Sequence, residues 1–171
     1  VDHDELAVET ATIEDVASAQ ALIDGAREWL RSRGIDQWQD AVPNSVLVRD
    51  TEQGNLFVVR RGPEVAAMVT VYDSDPEVWG DDATPALHVH RLAVGQAHRG
   101  AQLGERLLRW VEEQALCREL RAVRLDCATD NPGLRRFYEQ RGFQHLRDLT
   151  VTAPDGGRLL TSSLYERLLV R

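Results

Sequence analysis

Between Leu92 and Trp110 the chain reads LAVGQAHRGAQLGERLLRW, an apolar run that breaks into a basic turn punctuated by Gly95, Gly100 and Gly104. Beyond the turn, Leu103, Leu107, Leu108, Val111, Ala115 and Leu116 recur at the spacing of one helical face. A strand that feeds such a turn into a helix leaves backbone N–H groups without partners at the helix start and aims the positive end of the helix dipole at the same place. That arrangement suits an anion, phosphate above all. It also requires a helix packed on a sheet, which commits the chain to an α/β layer architecture.

The flanking patterns extend that frame. Residues 5–12, ELAVETAT, alternate as a first strand, and Thr12 opens a T-x-x-D capping pattern before Ile13, Val16, Ala19, Leu22, Ile23, Ala26, Trp29 and Leu30, which share a helical face ending at Gly34. A loop with a short helix from about Asn44 follows. NLFVVRRG and EVAAMVTVYD flank Gly62 and Pro63 as an antiparallel hairpin. SDPEVWGDDATP is an acidic loop, and PALHVHRLAV is the strand that enters the glycine turn. Downstream, AVRLDCAT is a strand with Val123, Leu125 and Cys127 on one face. Asn131 and Pro132 supply an N-cap and a first-position proline for a short helix that stops before Gly142. HLRDLTV and LTSSLYERLLV are closing strands around APDGGR, with a tight turn at Asp155 and Gly156. No repeat or linker interrupts this order, so residues 1–171 are expected to form a single domain around one mixed sheet.

Composition narrows the partners. The formal charge of −8 argues against broad binding to nucleic acid or to an anionic membrane, both of which rest on clustered positive charge. An acidic amino end and the lack of a long apolar run point to a cytoplasmic protein. All 20 basic residues are arginine, a bias that GC-rich coding produces and that suggests a bacterial source. Cys117 and Cys127 have no metal-type spacing and read as two small buried hydrophobes, so no metal site is expected.

Three phosphate-binding devices share the strand-turn-helix design. A nucleotide P-loop requires lysine and a hydroxyl after its second glycine, where this chain has Ala101 and Gln102. A dinucleotide-binding fold is the serious rival, because Asp126 lies at the end of the following strand where that fold wants an acidic residue. Against it, the turn contains no G-x-G and falls past the middle of the chain rather than in an opening βαβ unit.

The third device is an acyl-coenzyme A loop. Leu92-Ala93-Val94 followed by Arg99-Gly100-Ala101-Gln102-Leu103-Gly104 resembles the [QR]-x-x-G-x-[GA] loop of the GNAT N-acetyltransferase superfamily, whose bacterial members include many without a known substrate. Gln102 departs from the pattern by replacing its middle glycine. Were that position to require a positive φ, a side chain there would be a handicap; in a first helical turn it would be harmless. The next strand-helix unit adds a second likeness, with Asn131, Leu134 and Tyr138 in an N-x-x-A-x-x-x-Y pattern followed by Gly142-Phe143.

The resemblance implies a mostly antiparallel, twisted α/β sheet of about seven strands with flanking helices, in which two central parallel strands splay apart. It implies acetyl-CoA as donor, held along Leu92, Ala93 and Val94 and by the N–H groups from Arg99 to Gly104, with Asn131 and Arg135 nearby and Arg136 as a further cation. Tyr138 would be the general acid, and His88 or His90, two residues apart on one strand face, the base. Asp126 is a further candidate for the base. The acceptor would be a small-molecule or peptide amine, with the acidic loop around Trp79 and the indoles of Trp29 and Trp38 as candidate walls. A non-catalytic acyl-CoA-binding module is the alternative from another class, and a homodimer is compatible with the family.

Overall fold

The computed structural model describes residues 7–35, 37–38, 40–152 and 159–170. Along the chain run β1 (Val8–Thr10), α1 (Val16–Ser32), α2 (Asn44–Glu52), β2 (Leu56–Arg61), β3 (Glu64–Tyr72), α3 (Pro76–Trp79), β4 (Ala86–Val94), α4 (Leu103–Cys117), β5 (Ala122–Ala128), α5 (Pro132–Glu139), β6 (Gln144–Thr152) and β7 (Leu159–Leu168). Among the described residues seven strands form one sheet in the order β1-β2-β3-β4-β5-β7-β6. Every neighbouring pair is antiparallel except β4 and β5. This is the mixed, mostly antiparallel architecture expected from the sequence.

Two apolar layers sandwich the sheet. On one face α4 packs Leu103, Leu107, Leu108 and Val111 against Val69, Val71, Leu87, Val89, Val123 and Leu125, and α5 adds Tyr138. On the other, Val16, Ala19 and Ile23 of α1 and Leu47 of α2 cover Leu56, Val58, Met68 and Ala93. Burying a side chain of this size contributes roughly 1.5–3 kcal/mol, so these interdigitated leucines and valines fix which face of each strand turns inward.

Local chemistry sets the element ends. The Asp15 carboxylate accepts hydrogen bonds from the Thr12 N–H at 2.8 Å and the Thr12 hydroxyl at 3.1 Å, the expected capping pattern. The first turn is nevertheless 3-10, α1 begins at Val16, and Ile13 is 59% exposed rather than on the buried face. Gly34, with φ of 68°, ends α1 as expected. Two further positions differ from expectation: Leu116 is exposed, because the buried stripe of α4 closes at Ala115, and Cys117, the next residue, is an exposed free thiol while Cys127 is buried. The acidic loop contains the short helix α3, started by Pro76 at its first position. The expected tight turn at Asp155-Gly156 lies outside the described residues. No helix among the described residues is long and apolar enough to cross a membrane.

Candidate active site

The sheet opens at its one parallel pair. Pairing between β4 and β5 runs from Ala86 with Ala122 to Val89 with Leu125 and stops there, although β4 continues to Val94 and β5 to Ala128. Past that point the facing edges of the two strands carry backbone groups that need partners.

A bulge on β4 starts where the gap starts. Met68 pairs with Ala93 and Thr70 with His90, so Val69 alone stands opposite both Arg91 and Leu92. Arg91 takes φ of 48°, the left-handed conformation that glycine normally supplies at such a bulge and that costs another residue roughly 1–2 kcal/mol. The extra residue reverses the alternation of the strand. Leu87 and Val89 face the α4 layer; after the bulge it is Leu92 and Val94 that pack there, and Ala93 that faces α1.

The glycine turn forms the far end of the gap. After Gly95 a 3-10 turn spans Gln96–His98, Gly100 has φ of 85°, and Gln102 has φ of 57° as the N-cap of α4. The position of the missing family glycine therefore does take a positive φ, and it lies before the first helical turn. Gln102 gives α4 no side-chain cap, so the N–H groups of the first turn are left to a ligand or to water. Arg99 lies over the Trp29 ring at 4.3 Å, and Arg33, which the sequence did not single out, lies over the same ring at 4.5 Å. A groove of about 360 Å³, lined by Arg99 and Trp29, runs along Leu92, Ala93 and Val94 past Asn131 and Phe137.

The groove meets a second cavity of about 330 Å³ at the fork itself, and Gln37, Trp38, Leu92 and Leu134 line both. His90, Asp126 and Tyr138 all border this second cavity. His90 Nε2 is 3.0 Å from the Asp75 carboxylate. Burial pushes the Asp75 carboxyl up, but its hydrogen bond to His90 and the nearby charges of His90 and His88 outweigh that, and it is held below the ordinary carboxylate value. Asp126 moves the other way, raised chiefly by burial, with His90 opposing the shift. Tyr138, 5% exposed between Phe137, Phe143 and Tyr165, has its phenol raised by burial and keeps its proton.

His88 occupies a different place. It is 5% exposed, borders the separate cavity under the acidic loop, packs against Trp79, and burial pushes its imidazole down to about 4. The acidic loop is pinned rather than open: Asp75 holds His90, Asp82 pairs with Arg124 at 2.7 Å, and Asp73 pairs with Arg118 at 2.8 Å. Asn131 caps α5 by accepting from the Leu134 N–H at 3.1 Å, and its amide donates to Gln37 Oε1 at 3.1 Å. Gln37 was not legible as a site residue, since nothing in its neighbourhood of the sequence ties it to Asn131. Arg135 donates to the Tyr165 hydroxyl at 3.0 Å and the Thr129 carbonyl at 3.4 Å, and Arg136 is exposed.

Residues 23–143 match the model of the acetyltransferase (GNAT) family. The chain is 34% identical over 144 residues, 80% of each protein, to the uncharacterized N-acetyltransferase YesJ of Bacillus subtilis. Among solved structures it resembles a GNAT family acetyltransferase from Listeria monocytogenes, with a TM-score of 0.77, 22% identity and coverage of 96% of this chain and 95% of that one. It also resembles YncA from Salmonella typhimurium, solved with its cofactor acetyl-CoA, with a TM-score of 0.71, 16% identity and coverage of 97% and 95%.

Proposed function

From the premise that the chain belongs to the GNAT acetyltransferase family, we propose that it transfers the acetyl group of acetyl-CoA to a primary amine by direct attack in a ternary complex. The observation that carries this reading is the end of β4–β5 pairing at Val89 and Leu125, with His90 and Tyr138 bordering the cavity at the fork. An extended pantetheine arm supplies hydrogen-bonding groups that the separated strand edges need, as an added strand does. The diphosphate suits the uncapped first turn of α4 with the Arg99 guanidinium lining the groove and Arg33 stacked on the same Trp29 ring.

The thioester, when bound, supplies an activated carbonyl and a thiolate leaving group. A backbone N–H on the gap-facing edge of β4 donates to the oxygen that becomes negative during attack. His90, held by Asp75, takes the proton of the attacking amine. Tyr138 donates a hydrogen bond, and finally its proton, to the departing sulfur. Asp126 and Asp40 border the same cavity as Trp38, Val42 and Leu160, which favours a cationic amine carried on an apolar body, whether a small molecule or a peptide N-terminus. His88, buried and turned toward another cavity, has no part in this scheme.

Release of free thiol from acetyl-CoA across a panel of primary amines tests the proposal. Turnover with at least one amine is expected, together with stabilisation by acetyl-CoA of about 2.7 kcal/mol at 100 times its Kd. Stabilisation without thiol release from any amine would favour the binding module, and stabilisation by NAD(P)H instead would favour the dinucleotide reading.

A further inference from the structure

Asp50 lies on α2, is fully buried, and borders neither the groove nor the cavity at the fork. Its carboxylate accepts from the Tyr72 hydroxyl at 2.8 and 2.9 Å and from Arg91 Nη2 at 2.5 Å, with Arg49 Nη2 at 3.5 Å. Arg91 Nη2 also meets the Tyr72 hydroxyl, and its guanidinium lies 5.5 Å from the centroid of the Tyr72 ring. A helix on one face of the sheet, a residue of β3 and the bulged residue of β4 are thus tied together by one buried carboxylate.

The tie ends on the single β4 residue with left-handed backbone. An arginine adopts that conformation only where its surroundings over-determine it. Released from Asp50, Arg91 keeps only Tyr72 to hold φ at 48°, and relaxing it toward extended backbone undoes the register shift and turns Leu92 and Val94 off the groove. We propose that Asp50 is a positioning residue that acts through Arg91 to hold the β4 bulge, and thereby sets the backbone edge along which the coenzyme lies. The proposal rests on the reading of that edge as the acetyl-CoA site.

The test measures the Kd of acetyl-CoA, together with kcat and KM, for Asp50→Asn, Arg91→Ala, Arg91→Gly and the Asp50→Asn/Arg91→Gly double variant. Asp50→Asn and Arg91→Ala are expected to weaken acetyl-CoA binding about tenfold, the scale of a left-handed residue that has lost its support. Arg91→Gly, free to take a positive φ, is expected to bind more tightly than Arg91→Ala, and adding Asp50→Asn to it should change Kd less than about twofold. The double variant leaves no buried unpaired arginine, so the comparison survives if Asp50→Asn alone fails to fold.

A lower Tm for Asp50→Asn with unchanged Kd and KM would overturn the proposal. So would equal affinities for Arg91→Ala and Arg91→Gly, or a full tenfold loss from Asp50→Asn in the glycine background. A wild-type protein that does not bind acetyl-CoA would sink the coenzyme reading instead. Amide hydrogen exchange at Leu92 to Val94 then still reports on the tie: faster exchange in Asp50→Asn supports it, and unaltered exchange refutes it.

Discussion

The imidazole of His90 stands 3.0 Å from the carboxylate of Asp75, a residue of the acidic loop that reaches the strand from outside the sheet. That contact fixes the orientation of the ring at the edge of the fork. His90→Gln is expected to lower kcat by roughly 10²–10⁴-fold, the range for a lost general base, with little change in the Kd for acetyl-CoA. Asp75→Asn should cost about tenfold and nothing further in the His90→Gln background. Steady-state kinetics of the two single variants and the double variant check this; additive losses would mean that the two residues act separately.

Tyr138→Phe keeps the ring packed between Phe137, Phe143 and Tyr165 and removes only the hydroxyl. The expected result is a fall in kcat of about 10²-fold or more with coenzyme affinity nearly intact. Equal losses in kcat and in affinity would argue for a packing role alone.

Gln102 occupies a backbone conformation that suits glycine, with φ of 57°. Gln102→Gly relieves the left-handed strain but adds freedom to the unfolded chain, and the balance is a gain of about 0.5–1 kcal/mol. Gln102→Val, β-branched at a positive φ, should lose stability instead. Urea midpoints measured without ligand decide it, and a tighter Kd for acetyl-CoA in the glycine variant is expected alongside.

His88 predicts a pH dependence. Burial is the main cause that lowers its pKa from 6.5 to about 4; Arg124 and His90 add to it, while Asp75 and Asp82 oppose it. The unfolded chain therefore takes up the proton first as the pH falls. Stability is unaffected above about pH 6.5 and declines between there and about pH 4, by a total of about 3 kcal/mol for this group. In His88→Gln the decline over that window should shrink by the same amount, measured by urea unfolding at pH 7 and pH 4. An unchanged slope would show that other groups carry it.

Much of this was legible in the chain because it is local. The T-x-x-D cap, Gly34, the Gly62-Pro63 hairpin, Asn131-Pro132 and Gly142 each act within a turn of themselves, and periodicity set the core faces of α1 and α4. Predictions slipped where an element ended, at Ile13, Leu116 and Cys117, since an apolar residue just outside the buried stripe looks the same in sequence as one within it.

The sequence by itself determined the strand-turn-helix unit, the order of the elements and the side chains available for chemistry, because backbone propensity and side-chain periodicity are properties of neighbours along the chain. Only the tertiary structure decided that His90 and not His88 faces the fork, that Arg135 turns to Tyr165, and that Arg91 bulges in a strand without a glycine to announce it. Those outcomes depend on contacts with Asp75, Trp79, Tyr165 and Asp50, residues brought close by sheet pairing and helix packing, and a pattern read along one segment carries no information about partners that distant.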